Sequence, residues 1–397
     1  YFIMNICKKN LLILVATAFT ALVFPSEPVK FSYKGGSNYT MVERTDLRRY
    51  DNNKYKGLMS REVKACIAGK DGLYEGSFYV DEKTVHKNVS VADSVHNATP
   101  STFRISEDGK FEMIEDCGYP SFRSFPAFPK NEVRIGDSWT ATAERSVDPL
   151  NKGIPTKFPM EVLYTYTGDE IFHDEEVYVF NAQWATRYGY SIIDEEGDPA
   201  LKSASGSHKA TMYISKATGY AIVVRDYCEE TFIYNDGNSY TFKGGIALFT
   251  EYAPSMDAEK VMPVINRVAV SMGNDIGIEE TAAGLRLTMK NLQFKSNSAE
   301  LLPGEEVRLN QIAEILKASG TTAFLIEGHT ASTGQPNAEM QLSIERANTI
   351  AAELVKRGVP ADKCICQGRG SSRPVADNST PEGKAANRRV EITLFSK

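Results

Sequence analysis

At 397 residues the chain is longer than one hydrophobic core usually supports, which argues for two folded units behind a leader. Its apolar and charged fractions, 42% and 24%, are those of an ordinary globular protein. The net charge of −6 supplies no basic stripe to neutralise a phosphate backbone, so no nucleic-acid partner is expected.

The chain opens on Tyr1, with Met4 as the biological start and Lys8 and Lys9 ahead of an apolar stretch from Leu11 to Phe24. A positive region, an apolar run short of a comfortable membrane span and then Pro25 predict a secretory signal peptide over residues 1–25. An uncleaved anchor is the other reading, since no small-x-small cleavage site stands out. Cys7 precedes the apolar run instead of ending it, which argues against a lipoprotein.

Residues 26–254 show short β-type segments and no long helical period. Gly69-Lys70-Asp71-Gly72, Asp108-Gly109, Lys216-Ala217-Thr218-Gly219 and Asn235-Asp236-Gly237-Asn238 separate runs rich in Val, Ile, Tyr, Phe and Thr. The expectation is a soluble antiparallel β-rich domain, of no recognised family, with a continuous meander from His208 to Tyr252. A membrane barrel would need one continuously apolar strand face, whereas the run from Tyr220 to Tyr234 puts Arg225 and Glu229 on one face and Asp226 and Glu230 on the other. Two aromatic groups carry two readings each. Tyr119, Phe122, Phe125 and Phe128, interleaved with prolines, make a ligand-binding lip or the packing of a loop over a sheet edge. Trp139, Trp184, Tyr188 and Tyr190 stack on a sugar or belong to the sheet's core.

Beyond the leader stand Cys66, Cys117, Cys228, Cys364 and Cys366, an odd number without metal-site spacing. Cys364 and Cys366, two apart in an extended strand, are poorly placed to bridge. Cys66 with Cys117 is open as a disulfide or as two free thiols. Residues 255–283 read as a helical and turn-rich linker: Ala258, Val261, Met262 and Ile265 recur at helical spacing before Gly273, Asn274 and Gly277 break it.

After Gly284 strands and helices alternate. A strand runs through Leu285, Leu287 and Met289 into Leu292-Gln293-Phe294. A helix opens at Pro303-Gly304 with Leu309, Ile312, Ala313 and Leu316 on one face and ends at Gly320. The strand Ala323 to Glu327 leads through Gly328-His329-Thr330 to a second helix, Asn337 to Arg357, with Ser343, Ala347, Ile350, Ala351 and Leu354 as its buried stripe. A short strand near Cys364 to Gln367, a loop from Gly368 to Gly383 and a strand from Arg389 to Phe395 complete an α/β sandwich over residues 284–397.

Five ordered blocks carry a family resemblance. They are Phe294-Lys295-Ser296-Asn297-Ser298-Ala299-Glu300-Leu301, Glu327-Gly328-His329-Thr330 with Thr333-Gly334, Leu342-Ser343 with Arg346-Ala347, Gly368-Arg369-Gly370 with Pro374, and Asn387-Arg388-Arg389-Val390-Glu391-Ile392. Together they resemble the OmpA-like C-terminal, peptidoglycan-associating domain over about Leu285 to Phe395. The resemblance implies non-covalent binding of the peptidoglycan stem peptide at its diaminopimelate residue: a guanidinium and loop amides take the ligand carboxylate and a protein carboxylate takes its ammonium. Arg346 matches the family's binding arginine. Thr330, Ala331, Ser332, Thr333, Gly334, Glu339, Leu342 and Arg389 complete the expected site.

Two positions depart from the pattern. Ala331 stands where the family usually has Asp, and Glu339 where it often has Asn. Three outcomes are open: binding is weakened or lost, it persists through Arg346 and the amides of Ser332 to Gly334, or the wall carries another diamino acid such as ornithine, with Glu339 supplying the carboxylate. His329, alone of its kind in this domain, assembles neither a metal site nor a nucleophile-base pair. It is expected to order its loop. Arg388 and Arg389 alternate across a strand, so at most one faces a groove.

The expectation for the whole chain is a non-catalytic protein of the cell envelope, in the periplasm and associated with the outer membrane or wall. It tethers an unknown envelope protein, held by the β domain, to peptidoglycan, without cofactor or metal. The competing expectation is an interaction module whose OmpA-like domain has lost diaminopimelate binding through Ala331.

Overall fold

The computed structural model describes residues 27–35, 38–81, 96–189, 197–252, 258–281, 283–290, 292–320 and 323–395. The expected leader, residues 1–25, and Tyr190 lie outside them.

Twelve strands form the N-terminal unit: β1 (Tyr39–Asp51), β2 (Lys54–Lys70), β3 (Leu73–Asp81), β4 (His96–Ile105), β5 (Phe111–Glu115), β6 (Phe122–Arg123), β7 (Ser138–Val147), β8 (Thr156–Phe172), β9 (Glu175–Tyr188), β10 (Leu201–Ser215), β11 (Ala221–Tyr234) and β12 (Ser239–Tyr252). All pair antiparallel within this unit, in the order β5-β4-β3-β2-β1-β12-β11-β10-β9-β8-β7-β6. The four turn signals fall between strands, and Asp71-Gly72 adopts φ of 52° and 75°, the left-handed pair that a two-residue hairpin turn needs.

Inward side chains from β1 to β12 share one apolar core, so the sheet curls on itself. Its end strands do not pair, but Phe111 N donates to Ser124 Oγ at 3.0 Å and Phe128 N to Asp108 O at 2.8 Å across the gap. The aromatic loop fills that gap from inside. Phe122 and Phe125 stack at 5.2 Å and both meet the Trp184 ring edgewise. Trp139, Trp184 and Tyr188 belong to the same core.

Strand β11 shows how the charges on its two faces are accommodated. Arg225 and Glu229 point outward, while Asp226 and Glu230 are buried with Cys228 and Phe232. Arg187 on β9 and Lys209 on β10 extend the charged outer rows, unlike the continuous apolar band of a lipid-facing wall. No described helix is long and apolar enough to cross a membrane.

The C-terminal unit runs α1 (Ala258–Met272), β13 (Ile276–Thr281), β14 (Gly284–Met289), α2 (Glu306–Ala318), β15 (Phe324–Gly328), α3 (Pro336–Lys356), β16 (Cys364–Gly368), α4 (Pro381–Asn387) and β17 (Val390–Phe395). The sheet order is β13-β14-β17-β15-β16, with β15 and β16 parallel and the other pairs antiparallel. Leu309, Ile312, Ala313 and Leu316 of α2 and Ala347, Ile350, Ala351 and Leu354 of α3 are buried against it.

The segment expected as a linker is instead part of this core. Val261, Ile265, Val268 and Met272 of α1 pack in the same cluster as α2 and β14, because the helix offers a complete apolar stripe that needs a partner. β13 was masked in the sequence by Gly277 and the exposed Glu279 and Glu280. The strand expected to reach Phe294 stops at Met289, and Phe294 makes an isolated bridge with Leu301 instead.

The two units meet along β4. Thr99 to Ile105 pair with or beside β3 and β5, while His96, Asn97 and Ala98 pair parallel with Ile365, Cys366 and Gln367 of β16. Cys66 and Ala98 share a small buried cluster with Leu325, Ile365 and Phe395. Arg373 Nη1 reaches Glu75 at 3.0 Å beside it. The five described cysteines are free, Cys66 and Cys117 included.

Candidate functional site

Helix α3 sits unusually close to the sheet. A Cβ on Gly328 would stand 2.0 Å from Ser343 O, and one on Gly368 would stand 2.5 Å from Ser343 Oγ. The glycines of two resemblance blocks thus serve the strand-helix approach, and Gly370 N donates to Ser343 Oγ at 2.9 Å to fasten it. This packing fixes the axis along which Arg346 is presented.

Arg346 is buried on α3 at 6% exposure. Its Nε donates to Ser298 O at 3.2 Å and its guanidinium carbon lies 4.8 Å from the centre of the Phe294 ring. The turn from Phe294 to Leu301 supplies both contacts, with Asn297 in the left-handed region at φ 52°. That turn closes because Ser298 N bonds Lys295 O and Lys295 N bonds Glu300 O.

Arg346, Arg388, Ser296 and Asn297 line a cavity of about 440 Å³. None of the described lining residues is acidic. Burial, and then repulsion from Arg388, pull the Arg346 guanidinium below its ordinary value. Among the described residues only its Nε has a hydrogen-bond partner, so the two terminal nitrogens are left for an acceptor from outside. A buried, oriented, unneutralised guanidinium suits a carboxylate or another planar anion.

The remaining expected residues divide. Thr330, Ala331, Ser332, Thr333 and Gly334 form the loop ahead of α3 but do not line this cavity, and neither does the half-buried Leu342. Two of the loop amides are committed: Ser332 N donates to Asn378 Oδ1 at 3.0 Å and Thr333 N to Glu339 Oε1 at 2.5 Å. They are therefore not open to a ligand. Glu339 is buried and saturated, since Oε1 also accepts from Thr333 Oγ1 and Gln335 N while Oε2 accepts from Ser371 Oγ. Burial alone would raise this carboxyl, but those donors bring it down to about 2. Glu339 ties the loop to the start of α3.

Arg389 is not a groove residue either. It is buried, with Nε on Glu391 Oε1 at 2.7 Å and Nη2 on Arg373 O at 3.2 Å. Burial works against the Glu391 carboxylate, but His329, Arg389 and Arg286 hold it at about 2. Arg388, which caps α4 ahead of β17, takes the cavity position instead. His329 is buried 3.7 Å from Glu391, and burial lowers its pKa. Asn387 staples the loop before α4: Oδ1 accepts from Val375 N and Ala376 N, and Nδ2 donates to Ala376 O.

Residues 293–388 match the OmpA family. The chain is 42% identical over 123 residues to the probable lipoprotein YiaD of Escherichia coli (strain K12), covering 31% of this chain and 56% of YiaD. It is 42% identical over 103 residues to the peptidoglycan-binding protein ArfA of Mycobacterium tuberculosis (strain ATCC 25618 / H37Rv), covering 26% of this chain and 32% of ArfA. With the putative lipoprotein YfiB of E. coli (strain K12) it shares 32% identity over 120 residues, 30% of this chain and 75% of YfiB. The chain thus spans about half of YiaD and a third of ArfA.

Proposed function

Since this chain belongs to the OmpA family through its C-terminal domain, we propose that it is a non-catalytic envelope protein that holds peptidoglycan at the Arg346 cavity. The carrying observation is the Arg346 guanidinium, buried, pinned by Ser298 O and Phe294, and facing a cavity whose described lining holds no carboxylate. A carboxylate of the stem peptide is the ligand group it suits. The likeness to ArfA, whose name gives it as peptidoglycan-binding, supports the same reading. The place of action is the periplasm, at the outer membrane or wall, and the β domain connects the wall to another envelope component.

Ala331 and the saturated Glu339 favour a second reading, in which the fold is kept as an interaction module and the ammonium of diaminopimelate finds no carboxylate. One experiment separates the two. The full chain is mixed with purified sacculi of diaminopimelate and of ornithine type, with Arg346→Ala as control. Capture that depends on Arg346 supports the wall anchor and ranks the two stems. Absence of capture by both walls leaves the interaction module.

A further inference from the structure

The interior of the curled N-terminal sheet holds a layer of charged side chains. Arg145 Nη1 donates to Glu230 Oε2 at 2.7 Å and Thr186 Oγ1 to Glu230 Oε1 at 2.6 Å. His208 Nδ1 lies 2.6 Å from Asp226 Oδ2 under the stacked ring of Trp184. These groups satisfy one another except for Asp226 Oδ1 and Trp184 Nε1, which have no partner among the described residues. His208, Asp226 and Cys228 also bring a nitrogen, an oxygen and a sulfur within 4.8 Å, but the imidazole is engaged by Asp226 and burial pushes the thiol up to about 12.

Arg145 and Glu230 of this layer also line a cavity of about 260 Å³. Besides that pair its polar lining includes Glu43, Arg61, Ser146 and Asp148, and its apolar lining Leu47, Phe232 and Phe242. The outer lining, Val80 and the 151–155 segment, is exposed. Among the described residues two buried polar atoms of this lining have no partner, Arg61 Nε and Ser146 Oγ, and both can donate a hydrogen bond. Ser146 is 6% exposed. Glu43 accepts from the Ser121 hydroxyl, and burial raises its pKa.

Orphan buried donors at the end of an apolar channel call for an acceptor with a hydrocarbon body. We propose that this cavity binds a small amphiphile with one anionic head, the head taking the Arg61 and Ser146 donors and the tail lying against Leu47, Phe232 and Phe242. At about 30 Å³ for each non-hydrogen atom the space holds on the order of ten, the size of octanoate. The proposal is independent of wall binding, since it concerns the other domain.

The test is calorimetry of the full chain with octanoate, octylamine and octanol, repeated on Arg61→Met, Ser146→Ala and Val80→Trp. Val80 is 38% exposed at the rim, so its replacement narrows the mouth without touching the charged layer. The expected result is saturable one-site binding of octanoate, about tenfold weaker for the amine and the alcohol, weakened about tenfold by Arg61→Met and also by Val80→Trp. Octanoate that fails to saturate the folded protein overturns the site. Equal affinity for the three heads overturns the anion assignment, and so does octanoate binding unchanged by both Ser146→Ala and Val80→Trp.

Discussion

Arg346 and Arg388 face one cavity, and no described lining residue offers either a carboxylate. Their mutual repulsion adds to the burial that already disfavours the Arg346 charge. An arriving carboxylate would relieve both costs at once.

Arg346→Ala should therefore abolish sacculus capture while the chain stays folded. The lost hydrogen bond to Ser298 O and the ring contact with Phe294 amount to about 1–2 kcal/mol. Arg346→Lys should keep charge but lose the fork and bind at least about tenfold more weakly. Arg388→Glu should weaken capture by pairing with Arg346 inside the cavity. Unchanged capture by folded Arg346→Ala, in a pull-down checked by circular dichroism, would sink the assignment.

Ala331→Asp restores the carboxylate that the family usually has at this position. Capture of diaminopimelate-type wall is expected to rise several-fold, with a smaller gain for ornithine-type wall, as read from bound fraction against sacculus concentration. A variant that folds and gains nothing would mean that the cavity reads the ligand through its anion alone.

The Glu339 carboxyl is held at about 2 in the folded chain, below the roughly 4.3 of an ordinary glutamate. A depressed carboxyl stabilises the fold above the unfolded value and loses that contribution as pH falls through the folded one. Wild type should accordingly lose thermal stability between about pH 4.5 and pH 2 more steeply than Glu339→Gln. The gap of several degrees at neutral pH should close near the acid end. Parallel curves for the two proteins, measured by thermal melts across that range, would contradict the assigned role of Glu339.

Gly328→Ala places a methyl against the Ser343 carbonyl, a contact no rotamer can relieve. The expected destabilisation is at least about 1–3 kcal/mol, seen as a lowered denaturant midpoint, with wall capture lost in proportion to unfolding. A fully stable Gly328→Ala would mean that α3 and β15 can separate, and the presentation of Arg346 would need another explanation.

Much of this was written plainly in the chain. The Asp71-Gly72 turn and the stripes of α2 and α3 follow from local chemistry and spacing, whereas Arg346 stands out through the family resemblance. The choice between Arg388 and Arg389 did not, because Arg388 is the C-cap of α4 and β17 starts only at Val390, so the two do not alternate within a strand. Glu339 looked like a substitute ligand because sequence shows a residue type and not its partners. The interior charges of β1, β7, β10 and β11 were equally hidden: Glu43, Arg145, His208 and Glu230 read like the solvent-facing residues of an alternating strand until the sheet curls and puts them opposite one another.

Strand β4 belongs to both sheets, paired with β3 along one stretch and with β16 along another. A tug on α3 would travel into β16 and cross by backbone hydrogen bonds to β4, bypassing the segment between β12 and α1. The two units would then behave as a stiff bracket with a fixed angle instead of two beads on a string, and the two ends would feel the same mechanical tension.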